Sequence, residues 1–588
     1  MLTPFSQYLQ SNQAPSEYEI REIKKLRANP LEEISSINVE IEQVEGILNS
    51  LKQKRAHIQE SLDNFNTILA PVRRLSVDVL GVIFRYCLAT HRNPVMSASE
   101  APILLTHICR DWRSIALSIP QLWSRLYIPS LPIATNNRPE FVQYVLERDR
   151  RMEARTEEVQ RWLRLSATCP LAITLMPLMP ISDSVITHPP LLDSIIQSSR
   201  RWQEFELGIL PPGSDLLTKL LSLSSDDLCM LRELRIHSFY STFDLHTQGD
   251  LWFRSGLLTA QGLRSLSIAD SDMRHAFPAS IPPNWKNLNH LFIHSPISLG
   301  IAHSMLSYSS NLVACLLEIS SPWYDIDGVP DASTITLSSC VLPHLTSLSV
   351  QGDLNGCSKL FSSIEAPSLQ ILDYQGYYPI ESEEFGLLNL LQNTNSLKTL
   401  SVDQLYLTES NLLKYYTLIP SVTHLILGQS PNRSYRPFSS HISHPAHPEN
   451  DTLMTTLHEI RHQYSPNSAP TFLFPSLEIF EAYDVSGVTD IMLLEFIKGR
   501  IDAATKSNTA SVSKLKKVLV EFSGMRQTDI VPEALAYAEA AGITLTLDLT
   551  YYTTGKDMDA TWSPSFGLSS DDVSWAYPLY DSWCNTKD

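Results

Sequence analysis

Glycine is scarce in this chain, with 20 residues in 588. Neither a Gly-x-x-x-x-Gly-Lys-Ser/Thr loop nor a Gly-x-Gly-x-x-Gly turn occurs, which disfavours a cradle for nucleotide phosphates. No Gly-x-Ser-x-Gly elbow is present, so that serine-hydrolase signature is missing too. The eight cysteines (Cys87, Cys109, Cys169, Cys229, Cys315, Cys340, Cys357 and Cys584) are scattered, with no Cys-x-x-Cys pair. Such spacing argues against a disulfide framework or a zinc site and favours a reducing compartment, the cytoplasm or nucleus. Positive charge is in deficit: 45 Lys and Arg against 63 Asp and Glu give a net charge of −18. That argues against a general nucleic-acid binder, which needs a basic face. There is no apolar run of about 18 residues and no charged-then-apolar leader, so neither a membrane span nor a signal peptide is expected. The composition is otherwise that of a globular protein, 43% hydrophobic, and the length suits several domains or one long repeat array.

Residues 1–18 are polar and are expected to be disordered. Within 19–70, apolar residues step by three and four from Ile34 through Ile37, Ile41, Val44, Leu48, Leu51, Ile58, Leu62 and Phe65 to Leu69, interrupted only by Arg55. This spacing predicts a helix about 50 Å long with one narrow apolar stripe, starting near Pro30 and stopped by Pro71. The stripe needs a partner. Coiled-coil self-association, a partner helix and a fold-back onto the rest of the chain all remain open.

The next stretch, 71–128, reads as an amphipathic helical hairpin. Val79, Leu80, Ile83, Phe84 and Leu88 fall on one side of a first helix, with Ser76 as N-cap and Asp78 at the positive end of its dipole. Leu104, Leu105, Ile108, Trp112, Ile115 and Ala116 form the stripe of a second. Residues 90–100 are a polar loop between them. Helices this short must pack on each other or on a partner.

From Trp123 onward the chain repeats an apolar-x-x-apolar-x-apolar template. Examples are Leu231, Leu234, Ile236; Leu263, Leu266, Ile268; Leu369, Leu372, Tyr374; and Leu515, Val518, Val520, spaced mostly 24–32 residues apart. Helix-like segments such as Glu383–Leu391 and Glu409–Leu418 lie between. No single unit of this kind can bury its own apolar face, but stacked units share one core. A doubly wound α/β domain is the competing architecture. A charged helical stretch within 129–165 is read as a linker into a repeat region spanning 166–550. Residues 429–466, rich in proline and carrying His441, His444 and His447, interrupt the period as a loop insertion. Without fixed geometry or a Cys or carboxylate partner, those histidines are not read as a metal site. Residues 551–588, aromatic and acidic, are expected to cap the array.

The 71–128 segment resembles the F-box of fungal F-box proteins. Pro71, Leu75, Val79, Leu80, Ile83 and Phe84 match the first part of the family pattern. Cys109, Trp112, Ile115, Ala116, Leu122 and Trp123 match the second. Ser76 stands where the family has proline and Asp78 where it has glutamate; each still suits a helix start. The repeats resemble the irregular leucine-rich repeats that follow F-boxes in many relatives, although the family's asparagine is not consistently present. The fold class is therefore an α/β repeat: a long N-terminal helix and a helical F-box, then an irregular leucine-rich-repeat solenoid.

The resemblance implies a non-catalytic substrate receptor of a Skp/cullin/F-box-type ubiquitin ligase. Pro71, Leu75, Val79, Leu80, Ile83, Phe84, Trp112 and Trp123 would then serve the Skp-family adaptor, and through it a cullin. In strands of the template, the residue between the second and third apolar positions points away from the core. That row is Glu206, Arg235, Ser267, Phe292, Ser349, Asp373, Ser401, Ile426 and Glu481, a surface for an unknown protein substrate. Arg235, Phe292, Asp373, Ile426 and Glu481 are its most distinctive members. No cofactor, metal, nucleic acid or membrane enters this reading. The alternatives are an interaction scaffold whose hairpin only caps the repeats, and an α/β hydrolase whose nucleophile and base the sequence does not reveal.

Overall fold

The computed structural model describes residues 5–9, 13–129, 141–176, 189–208, 215–237, 254–269, 281–319, 337–352, 354–376, 386–394, 396–402, 415–428, 474–485, 488–506, 512–522 and 525–551. The chain divides into two compact units, Met1–Ile83 and Phe84–Asp588. No described helix is long and apolar enough to cross a membrane.

The first unit is dominated by α1, Glu17–Leu69. Its start is set by a capping box: Ser16 Oγ accepts from the Glu19 amide at 3.4 Å, and the Ser16 amide donates to the Glu19 carboxylate at 2.8 Å. The Ser16 hydroxyl, the Ser16 amide and the Tyr8 hydroxyl all donate to the Glu19 carboxyl and hold it below its ordinary range. The helix therefore begins well before Pro30, which lies inside it, and some residues expected to be disordered are ordered. At 53 residues it is about 80 Å long. It ends where Ala70, followed by proline, turns to φ −52° and ψ 127°. No α1 residue is buried. The next helix, α2, runs Val77–Tyr86, and Ser76 caps it by accepting from the Val79 amide at 3.4 Å.

In the second unit the expected second hairpin helix is two helices, α3 (Ile103–Ile108) and α4 (Arg110–Ser118). They are separated by Cys109 in an extended conformation, and its Sγ accepts the Trp112 amide at 3.4 Å. Strand β1, Arg125–Pro129, follows almost at once. The sheet thus begins inside the segment read as F-box. Helix α5, Phe141–Leu165, is not a linker before the sheet but the crossover between β1 and β2 (Leu171–Met176).

The further described strands, in chain order, are β3 Trp202–Gly208, β4 Glu233–His237, β5 Ser265–Ala269, β6 His290–Ile297, β7 Ala314–Ile319, β8 Cys340–Val341, β9 Ser347–Gly352, β10 Ile364–Glu365, β11 Ile371–Gly376, β12 Thr399–Val402, β13 His424–Leu427, β14 Ile479–Val485, β15 Lys517–Phe522 and β16 Thr546–Tyr551. β8 and β10 pair with each other. The rest, with β1 and β2, form one open 14-stranded parallel sheet in strict chain order. A doubly wound sheet reverses its order at a switch point, and this one does not.

Many of the units enter their strands the same way. The first apolar residue of the template donates its amide to the carbonyl three residues back, as in Leu231 to Leu228 (3.1 Å), Leu288 to Trp285 (2.9 Å) and Leu477 to Phe474 (3.0 Å). Side-chain hydroxyls then tie neighbouring units together: Ser368 Oγ donates to Pro343 O at 2.7 Å, Ser396 Oγ to Leu369 O at 2.9 Å and Ser421 Oγ to Leu397 O at 2.8 Å. These hydroxyls bind carbonyls of the preceding unit without any recurring asparagine. The template leucines, such as Leu234, Leu266, Leu291, Leu348 and Leu400, form the core at 0–1% exposure. At the far end Asp490 accepts from the Gln527 and Thr528 amides, both at 2.9 Å, and from the Tyr551 hydroxyl at 2.5 Å.

Candidate functional site: a helical segment and one face of the sheet

The eight residues expected to serve an adaptor separate into two groups. In residues 71–83, Pro71, Leu75, Val79 and Ile83 are exposed, with Leu75 at 37%, Val79 at 46% and Ile83 at 37%. Leu80, on the same helix, is 6% exposed. Phe84 is fully buried, its ring centroid 4.8 Å from that of half-buried Trp112. Trp123 is also interior. Its Nε1 donates to Ala116 O at 2.9 Å, and its ring meets Trp162 of α5 edge-on at 4.9 Å. Leu80, Phe84 and Trp123 are thus corrected from contact residues to packing residues, because a side chain enclosed by its own chain has no surface to offer. The pattern missed exposed Val72, Val77 and Val82 in this segment and, within the second unit, exposed Tyr86, Leu104 and Ile108. Leu104 and Ile108 were legible as stripe positions.

The loop at 90–100 is more than a spacer. Arg92 forms a two-pronged pair with Glu100 at 2.9 and 2.7 Å, which fixes the loop's ends. Pro94 O then accepts the Tyr127 amide at 2.8 Å, and Val95 bridges Tyr127 as a short parallel partner. The open edge of β1 is thereby covered, as sheet edges generally must be.

The nine residues read as one outward row do lie in one row. Strand register carries it without slip from Tyr127 through Thr174, Glu206, Arg235, Ser267, Phe292, Leu316, Ser349, Asp373, Ser401, Ile426 and Glu481 to Leu519 and Asp548. Its middle, however, is not open surface. Phe292, Asp373 and Ile426 are 4%, 3% and 1% exposed, and the three serines are buried with them. Strands in a sheet lie about 4.8 Å apart, so a serine between larger neighbours is shielded by them. Phe292 packs with Ala314 and Leu316, and Ser349 Oγ donates to Asp373 at 3.0 Å.

The partly open ends of the row are polar. At the front, Arg125 Nε donates to Asn93 Oδ1 at 2.9 Å, Asn93 Nδ2 to Thr174 Oγ1 at 3.0 Å, and Thr174 Oγ1 to Glu206 at 2.8 Å. Glu206 also meets His237 Nε2 at 2.9 Å and lies 4.0 Å from Arg235, which pairs with Glu233. Burial disfavours the ionised Glu206 carboxylate. The His237 bond and charge, the Arg235 guanidinium and the Thr174 hydroxyl outweigh that and hold its carboxyl at about 2. Toward the other end, Glu481 lies 3.5 Å from His424 and accepts from Lys517 Nζ and the Tyr483 hydroxyl, both at 3.0 Å. The adjacent His424 ring and the bonds from Lys517 and Tyr483 overcome burial and hold this carboxyl at about 2 as well. Of the five distinctive row residues, Arg235 and Glu481 are therefore placed where a ligand can reach them, and Phe292, Asp373 and Ile426 are not.

The insertion 429–466, residues 409–414 of an expected helix and the C-terminal tail beyond Tyr551 lie outside the described residues. So does His458-Glu459-Ile460-Arg461-His462, which the expectations above do not include. Its order is that in which two histidines four residues apart on a helix hold zinc and the glutamate acts as base. No protein-family model matches the chain, and no curated protein matches it.

Proposed function

We infer that this chain is the substrate-recognition subunit of a Skp/cullin/F-box-type ubiquitin ligase. In this reading the segment from Pro71 to Ile83 docks on the Skp-family adaptor, the sheet is that of an irregular leucine-rich-repeat solenoid, and its face holds a protein target. The chain does no chemistry itself and works in the cytoplasm or nucleus. One observation carries the reading. The apolar positions of the F-box pattern are sorted, with Leu75, Val79 and Ile83 left exposed while Phe84 and Trp123 are fully packed. Solvent-facing apolar residues concentrated on one short helix and the turn before it mark an interaction site. Strict strand order and the recurring entry turn support the solenoid. The polar ends of the row, Arg235 with Glu206 and Glu481 with Lys517, are the contacts that a charged target would use.

The test is co-purification of the full chain with the Skp-family adaptor. Capture that is lost when Val79 and Ile83 become glutamate supports the assignment, and absence of any capture overturns it. A second reading has its own support. Pro94 and Val95 cover the edge of β1, which is what a hairpin serving only as a cap would do. A scaffold of that kind would bind target proteins without binding the adaptor. Stoichiometric zinc lost on changing His458 or His462 to alanine would replace both readings with a metal-dependent enzyme.

A further inference from the structure

We propose that α1 pairs with the α1 of a second copy of this chain in antiparallel orientation, with the pairing centred between Asn49 and Ser50. The helix presents an apolar stripe from Ile34 to Leu69, and none of its residues is buried, so the stripe is uncovered along its whole length. Its charges say what covers it. Residues 32–45 carry five glutamates, Glu32, Glu33, Glu40, Glu42 and Glu45, and no Lys or Arg. Residues 46–57 carry Lys52, Lys54 and Arg55 and no acid.

Those blocks discriminate between orientations. In a parallel, in-register pair, Glu45 on one flank of the seam faces Glu40 of the second copy, and Arg55 within the seam faces its own counterpart. Both contacts set like charges together, and flanking charges are what fix orientation in paired helices. In the antiparallel pair, Leu48 lies opposite Leu51, Ile41 opposite Ile58, Ile37 opposite Leu62 and Ile34 opposite Phe65. Arg55 lies opposite Val44, next to Glu45 of the second copy. Glu45 flanks Lys52 of the second copy, twice by symmetry. This register keeps the apolar layers from Ile34 to Phe65 in contact and turns the one interruption of the stripe into a charge match.

The experiment measures self-association of the full chain by sedimentation equilibrium. The wild-type chain is expected to form a dimer. Glu45→Lys sets the new lysine against Lys52 of the second copy and is expected to weaken the dimer about tenfold, from two attractive pairs made repulsive. Adding Lys52→Glu to that variant restores the pairs and the affinity. In a parallel dimer Glu45→Lys would relieve the clash with Glu40 and strengthen association, which would overturn the proposal. A chain that stays monomeric overturns it, as does a dimer that survives Leu48→Asp, which buries a carboxylate against Leu51 of the second copy twice by symmetry, since the contact would then lie elsewhere. Because no α1 residue is buried, these substitutions leave the fold intact, and unchanged helical circular dichroism checks this.

Discussion

The Glu206 carboxylate and His237 Nε2 meet at 2.9 Å across neighbouring strands, on the face of the sheet opposite the leucine core. A carboxyl held at about 2 instead of its ordinary 4.5 contributes up to about 3 kcal/mol at neutral pH, at roughly 1.4 kcal/mol per tenfold change in proton affinity. Because the folded value is depressed, this stability is present above about 4.5 and is lost as pH falls from there toward about 2. Glu206→Gln should therefore unfold at lower urea than wild type at pH 7, and the gap should narrow through that acid window. A gap that stays constant with pH would show that the charge plays no part.

Asn93 links the loop to the sheet by receiving from Arg125 and donating to Thr174. It is 8% exposed, so Asn93→Ala removes its bonds with half-buried Arg125 and buried Thr174, at a cost of about 1–3 kcal/mol. Amide exchange should quicken in β1, above all at Tyr127, whose N–H bonds to Pro94 of the same loop. Exchange unchanged in β1 would mean that the edge is held by the Arg92–Glu100 pair alone.

Much of this architecture could be read from the sequence, because leucine periodicity and strand burial are one physical fact. Two strands escaped notice where the template was broken. Pro170 occupies the first apolar position ahead of β2, and Cys315 stands in for a leucine in β7. Cys315 is fully buried and behaves as a small apolar residue. The stripe from Leu104 to Ala116 gave no sign of the break at Cys109, since the apolar spacing in the sequence runs on through it, yet Leu104 and Ile108 are exposed while Leu105 and Ala116 are buried. The burial of Phe292, Asp373 and Ile426 was not legible because their neighbours come from adjacent strands, which no local pattern contains. The same holds for the division between Ile83 and Phe84, adjacent residues with opposite fates.

Gly428 ends β13 at φ +80°, and a Cβ there would meet Tyr483 O at 2.3 Å. Gly428→Ala should cost about 2 kcal/mol or more, from the positive φ and from the clash with a neighbouring strand. Gly499, within the helix Asp490–Lys506, has open space at its Cβ position. Gly499→Ala should stabilise by up to about 1 kcal/mol. Thermal denaturation of the two variants should move in opposite directions. A stable Gly428→Ala would mean that β13 and β14 separate more easily than their pairing suggests.

Ile83 and Phe84 provide the sharpest test of the adaptor assignment. Ile83 is 37% exposed, so Ile83→Glu removes a docking contact while leaving the interior untouched. Phe84 is fully enclosed against Trp112, so Phe84→Ala opens a cavity and should cost about 3–5 kcal/mol. Leu75→Ala belongs with Ile83, and Leu80→Ala, at a buried position, belongs with Phe84. The first pair should lose adaptor capture at unchanged melting temperature. The second should lower the melting temperature, and any loss of capture should follow from the fraction unfolded. If Ile83→Glu and Leu75→Ala both keep full capture in a chain that binds the adaptor, docking runs through another surface, and the exposed residues of α3, Leu104 and Ile108, become the next to change.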